Sequence, residues 1–125
     1  MKTSGGITKA IGLLFLFGTL SSSCEKKEIE VPLSDICATT NPFVKEVKHE
    51  VGTVYYDSTQ ARYGIQVPTS MDSADMGLAC NLPTDYQQSM KKVRFSGRYY
   101  ERTAPQTGPV GYKHYELIVT SISPL

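Results

Sequence analysis

The 125-residue chain contains no tryptophan and almost no net charge: 13 Lys and Arg against 12 Asp and Glu leave a formal +1. That balance excludes a polybasic nucleic-acid binder and an acidic disordered tail. No internal repeat and no low-complexity tract is present. No apolar run reaches the roughly 18 residues of a membrane-spanning helix. Cysteine is scarce, and no CxxC or HxxxH spacing occurs. The two histidines, His49 and His114, lie far apart, so no metal site is expected. No Gly-x-Ser-x-Gly elbow occurs, and nothing else assembles a persuasive catalytic constellation. The expectation is therefore a single domain without cofactor, not an enzyme.

What is present begins at the amino terminus. Lys2 and Lys9 precede a short apolar core of Ile11, Leu13, Leu14, Phe15, Leu16 and Phe17. Ser21, Ser22 and Ser23 then lead to Cys24. This is the three-part pattern of an export signal, with a thiol placed to accept an acyl chain. It resembles a bacterial lipoprotein signal of the Ser-rich kind found in Bacteroidota. The alternative is an ordinary signal peptide cut elsewhere. Residues 1–23 are read as the signal peptide and Cys24 as the lipidated residue. Residues 24–42 are read as tether and arm, and 43–125 as the folded domain. Removing 1–23 takes away Lys2 and Lys9 and no acid, which moves the formal charge from +1 to −1. A protein of that charge has no electrostatic reason to seek nucleic acid. The charged run Glu25 to Glu30 resembles an export signal that carries such lipoproteins to the cell surface. The expected location is the bacterial outer membrane, facing the periplasm or the exterior.

With Cys24 acylated, Cys37 and Cys80 remain. An even remainder in an exported protein predicts a disulfide, the alternative being two separate buried thiols. The loop closed would be 43 residues, worth roughly 4 kcal/mol of chain entropy.

The rest of the chain is strand-like. Val47, His49 and Val51 alternate with Lys48 and Glu50, and Gly52 then breaks the period, which predicts one long strand over 44–57 with a bulge at Gly52. Tyr63, Ile65 and Val67 form a second strand, stopped by Pro68. A polar turn over 69–76 and a short strand over 78–80 follow. Pro83 and Asp85 suit the start of a short helix over about 83–90. A strand over 91–102 places Val93, Phe95, Gly97 and Tyr99 on one face. After a Pro- and Gly-rich loop over 103–111, the last strand sets Tyr115, Leu117 and Val119 against Ile118 and Ile122. Five strands with one short helix between the third and fourth is the chain order of an OB-fold-like Greek-key barrel, a mainly β fold. A plain meander or a small sandwich is the alternative.

The block Ala79-Cys80-Asn81-Leu82-Pro83, followed by Lys92-Val93-Arg94-Phe95-Ser96-Gly97, looks like small Bacteroidota lipoproteins. It is also similar to the N-terminal OB domain of NigD-like proteins. The resemblance covers about residues 44–122. It implies a fold and an envelope location, and supplies no functional residues.

Among polar residues, Arg94, Arg98, Tyr100 and Arg102 would line the outer face of one strand. At least one of Tyr55 and Tyr56 would also point outward, since neighbours on a strand face opposite ways. An Arg/Tyr face of Arg94, Arg98, Tyr100, Arg102 and Tyr55 suits a polar ligand or a protein partner. The plainer alternative is a solvated strand face answered by Glu46, Glu50 and Glu116. Asp72 and Asp75 are as readily turn formers as ligands for a calcium ion. The functional expectation is a lipid-anchored, non-enzymatic envelope module acting as an accessory or interaction subunit. The alternative is a small-ligand or glycan-binding surface lipoprotein. The partners expected are the membrane, through Cys24, and an envelope protein or glycan.

Overall fold

The computed structural model describes residues 28–32, 37, 39–103 and 110–125. Six strands form: β1 (Ile29–Glu30), β2 (Phe43–Asp57), β3 (Arg62–Ser70), β4 (Ser73–Ala79), β5 (Lys92–Glu101) and β6 (Tyr112–Pro124). Strands β2 to β6 close into a barrel in the order β2-β3-β4-β6-β5 and back to β2. Every pairing is antiparallel except that of β4 with β6. This is the five-stranded, OB-fold-like barrel that the chain order predicts. Strand β1 is added outside it, on β6.

Five strands close only when they are strongly tilted and staggered. Following paired residues from Tyr55 through Gly64, Leu78, Glu116 and Tyr100 returns to β2 at Phe43, not at Tyr55. The stagger therefore brings residues from the two ends of β2 onto one row. The core is built where inward positions of all five strands meet. Val54, Ile65, Val93, Phe95, Leu117 and Ile122 are fully buried there, with Tyr99 and Val119 beside them.

The long strand β2 pairs with β5 through its first part and with β3 through its last five residues. It bends at His49, not at Gly52. The register slips between Val47 and Glu50, and His49 takes a φ of 54°. Its amide donates to Ser96 Oγ at 3.0 Å, so the bulge leaves that donor satisfied. Gly52 sits in regular register opposite Val93. A Cβ there would lie 2.6 Å from Ile65 Cγ2 and 2.8 Å from the Gln66 carbonyl oxygen. The glycine marks a close approach of strands, not a bulge.

Other boundaries also move. Strand β3 runs past Pro68 to Ser70, and β4 begins at Ser73, so the expected polar turn shrinks to Met71 and Asp72. The expected helix over 83–90 is a single three-residue 3-10 turn, Thr84–Tyr86, with Pro83 extended before it. Its anchors are apolar, since Leu82 and Tyr86 are both buried in the core. Asn81 explains the turn. Its side-chain amide donates to the Val119 carbonyl at 2.8 Å, and its oxygen accepts from the Val119 amide at 2.9 Å. One side chain thus extends the β4–β6 ladder after the β4 backbone has left it. In β6 the register slips at Thr120, which puts Ile122 inside with Val119 and not outside with Ile118.

Candidate functional site

Three polar or aromatic groupings stand on this frame. The first is internal. Lys45 and Asp75 come from β2 and β4, and Lys45 Nζ reaches Asp75 Oδ2 at 2.6 Å. The Asp75 side chain is 8% exposed and that of Lys45 is 42% exposed. The ammonium also sits 5.4 Å from the Tyr99 ring centroid and 5.9 Å from that of Tyr115. Burial raises the pKa of Tyr99, and the nearby carboxylates of Asp75 and Glu50 push it the same way. Burial likewise raises Tyr115. These shifts keep both phenols neutral and make neither a base. Asp75 is therefore an ion-pair partner in this structure, while Asp72 is exposed. Among the described residues no group of three or more His, Cys, Asp and Glu is placed to hold a metal ion.

The second grouping lies on the outer surface of the barrel. Arg62 donates to Glu116 at 3.3 Å. Arg102 lies 3.7 Å from Glu116 and 3.8 Å from Asp57, and its side chain is only 6% exposed. Asp57 is a turn anchor as well. Its Oδ1 accepts from the Thr59 hydroxyl at 2.6 Å and from the Thr59 and Gln60 amides. The Thr59 hydroxyl is the main cause that holds its carboxyl below the usual range. Beside them the Tyr55 hydroxyl is buried without a hydrogen-bond partner among the described residues. Burial pushes its pKa up to about 12, against the opposing pull of Arg102. The Tyr55 ring lies over Gly64, where a Cβ would come within 2.6 Å of it.

Next to this cluster Cys37 and Cys80 form the expected disulfide, with Cα atoms 5.4 Å apart. Two small grooves meet at Arg62 and Cys80. One, of about 170 Å³, is lined by Ala61, Tyr63, Leu82 and Gln87 among others. The other, of about 110 Å³, runs past Thr39, Asn41 and Glu116. Both fall below the roughly 300–1,000 Å³ of drug-sized ligand sites.

The third grouping is exposed. Phe43 opens β2 opposite Tyr100 of β5, and the two rings meet edge to face at 5.7 Å. The Arg98 guanidinium sits 5.3 Å from the Phe43 ring centroid. Phe43 is 50% exposed, Val44 beside it is exposed, and Tyr100 is half-buried. Glu46 faces Arg98 across the strand pair.

The five residues of the expected Arg/Tyr face therefore separate. Arg94, Arg98 and Tyr100 stand along the outside of β5. Arg102 lies beyond the end of that strand and is drawn away by Asp57 and Glu116, and Tyr55 belongs to the same buried cluster. Sequence spacing placed Arg102 with Arg98 because it assumed that the strand continued. Phe43 and Lys45 were not singled out, although Phe43 opens a strand and Lys45 precedes a run of alternation. His49 is the bulge residue, its Nδ1 3.6 Å from Glu28, and His114 lies on β6. Cys24, the export signal and most of the 103–111 loop fall outside the described residues. Among those described, no helix is long and apolar enough to cross a membrane. No family model matches the chain, and a search of curated proteins finds no match.

Proposed function

We propose that this chain is a non-enzymatic module, anchored by lipid on Cys24 in a bacterial envelope, that serves as an interaction subunit through the Phe43–Arg98–Tyr100 patch. The observation that carries the reading is the exposed Phe43 ring, packed on the half-buried Tyr100, with the Arg98 guanidinium over it. Tyr, Phe and Arg are the residues that concentrate at interface centres, and a rigid aromatic anchor loses little entropy on contact. The grooves beside the disulfide are too small to rival this patch as a ligand site. The location, the outer membrane and the kinship with NigD-like lipoproteins belong to the same proposal and rest on the residues of the signal and of the 79–97 block.

The test is a mild-detergent pull-down of the lipidated protein from its own membranes, with Phe43→Ala and Arg98→Ala in parallel. Loss of a stoichiometric partner with an unchanged melting temperature is the expected result. An unchanged partner set in both variants would reject the patch. A second reading, a glycan or small-ligand receptor, draws support from Tyr56, which is 49% exposed and meets Tyr63 edge to face at 5.0 Å. Glycan binding by the wild-type chain that Tyr56→Ala abolishes would favour it.

A further inference from the structure

We propose that the barrel docks its Val51–Arg94 face directly on the membrane that holds the lipid of Cys24, an inference that rests on the lipidation reading and deepens it. The chain is fastened to the barrel almost as soon as it leaves the lipid. Glu28 accepts a hydrogen bond from Ser121 Oγ at 2.9 Å, and its carboxylate lies 3.6 Å from His49 Nδ1. Ile29 and Glu30 pair with Ile122 and Ser121, and the Val31 amide donates to the Thr120 carbonyl at 3.0 Å. Only Glu25, Lys26 and Lys27 separate Cys24 from Glu28. Fully extended, that stretch reaches roughly 14 Å. Strand β6 alone runs up to roughly 40 Å at about 3.3 Å per residue. The leash is too short to let the barrel tumble freely above the lipid, so one end of β6 is held at the bilayer.

The surface at that end suits a layer of lipid headgroups. Ser123, Arg94 and Val51 form one row across β6, β5 and β2, and Arg94 is exposed. Val51 is 40% exposed and Leu125 is 45% exposed. Leu125 is held beside the exposed Lys92 by a bond to its carbonyl. Of the nearby acids, Glu28 is held by Ser121 and Glu50, opposite Phe95, is half-buried, while Glu30, paired with Ser121 on β1, stays exposed. A cation near an anionic membrane surface adds a small attraction. That is too little for binding alone, yet sufficient to orient a protein already held by an acyl chain. Met71, on the β3–β4 turn, lies at the opposite end of β6, where Gly111 approaches Asp72.

The chain lacks tryptophan, so a single introduced indole reports cleanly. The lipidated protein is extracted from its membranes and its mass is read for acyl chains on Cys24. It is then reconstituted into phosphatidylethanolamine–phosphatidylglycerol vesicles brominated near the carbonyl end of the acyl chains. Val51→Trp is expected to lose most of its emission relative to unbrominated vesicles, and Met71→Trp to keep it. Lys92→Glu with Arg94→Glu is expected to restore the Val51→Trp emission. Equal quenching at both positions, or none at either, on an acylated protein overturns the docking while leaving lipidation intact. A mass without acyl chains overturns both.

Discussion

Lys45 and Asp75 form a pair whose two members are not equally dispensable. The Asp75 carboxylate is nearly enclosed, whereas the Lys45 stem reaches from solvent. Removing the cation strands an ionised group inside, and removing the acid frees a lysine that can turn to water. Lys45→Met is therefore expected to cost about 2 kcal/mol, and Asp75→Asn roughly half as much, by urea unfolding at neutral pH. Equal losses would mean that packing of the lysine stem matters more than the stranded charge. Tyr55 makes a second prediction. Its phenol titrates near 12 in the folded chain and near 10 when unfolded. Between those values the unfolded chain has released the proton and the folded one has not, so stability falls as pH rises. Below pH 10 the group contributes no slope. Tyr55→Phe should flatten the alkaline fall without abolishing it, because Tyr99 is raised as well. Unfolding curves on either side of pH 10 measure this, and an unchanged slope would remove Tyr55 from the account.

At the scale of elements, the alternation of apolar residues located the strands because a barrel wall has one dry face. Val93, Phe95 and Tyr99 were legible in this way, and the pairing of Cys37 with Cys80 was legible from the even remainder of cysteines. Bulges were not legible. A slip at Thr120 or His49 flips every later residue to the other face, and no local residue announces it: His49 is not a glycine, and Gly52 answers a steric need elsewhere. The short helix failed for a related reason. Pro83 and Asp85 are good starting residues, but Leu82 and Tyr86 are pulled into the core within one turn. The arm before β2 carries the expected disulfide, and beyond the sequence reading it also holds β1 and a bond from the Asn41 side chain to the Glu101 carbonyl. Its attachment predicts how the chain responds to reductant. Opening the Cys37–Cys80 loop should cost up to roughly 4 kcal/mol, a large share of the 5–15 kcal/mol that small domains possess. The melting temperature should fall sharply on reduction, and Cys37→Ser should match the reduced protein. A melting temperature indifferent to reductant would show that β1 and the β6 contacts hold the arm unaided.

For the molecule as a whole, β5 carries different surfaces at its two ends. Arg94 belongs to the end beside Glu28, and Tyr100, with Arg98 and Phe43, to the other. If one end rests on lipid, the aromatic patch is presented at a fixed height above it, and a membrane-bound partner meets it already oriented. Restricting a module in this way raises the effective concentration of its partner without adding a contact. Lengthening the leash should undo that advantage alone. About fifteen Gly and Ser residues inserted between Lys27 and Glu28 give a flexible reach of roughly 20 Å, enough for the barrel to lift and turn. Thermal unfolding should be unchanged, because Glu28 and everything after it stay fastened. Capture of a partner from native membranes should fall, whereas capture from detergent solution, where no surface orients either protein, should not. A loss in detergent as well would show that the insertion damaged the patch or the β1 contacts. Equal capture in both settings would mean that the patch finds its partner without help from the membrane.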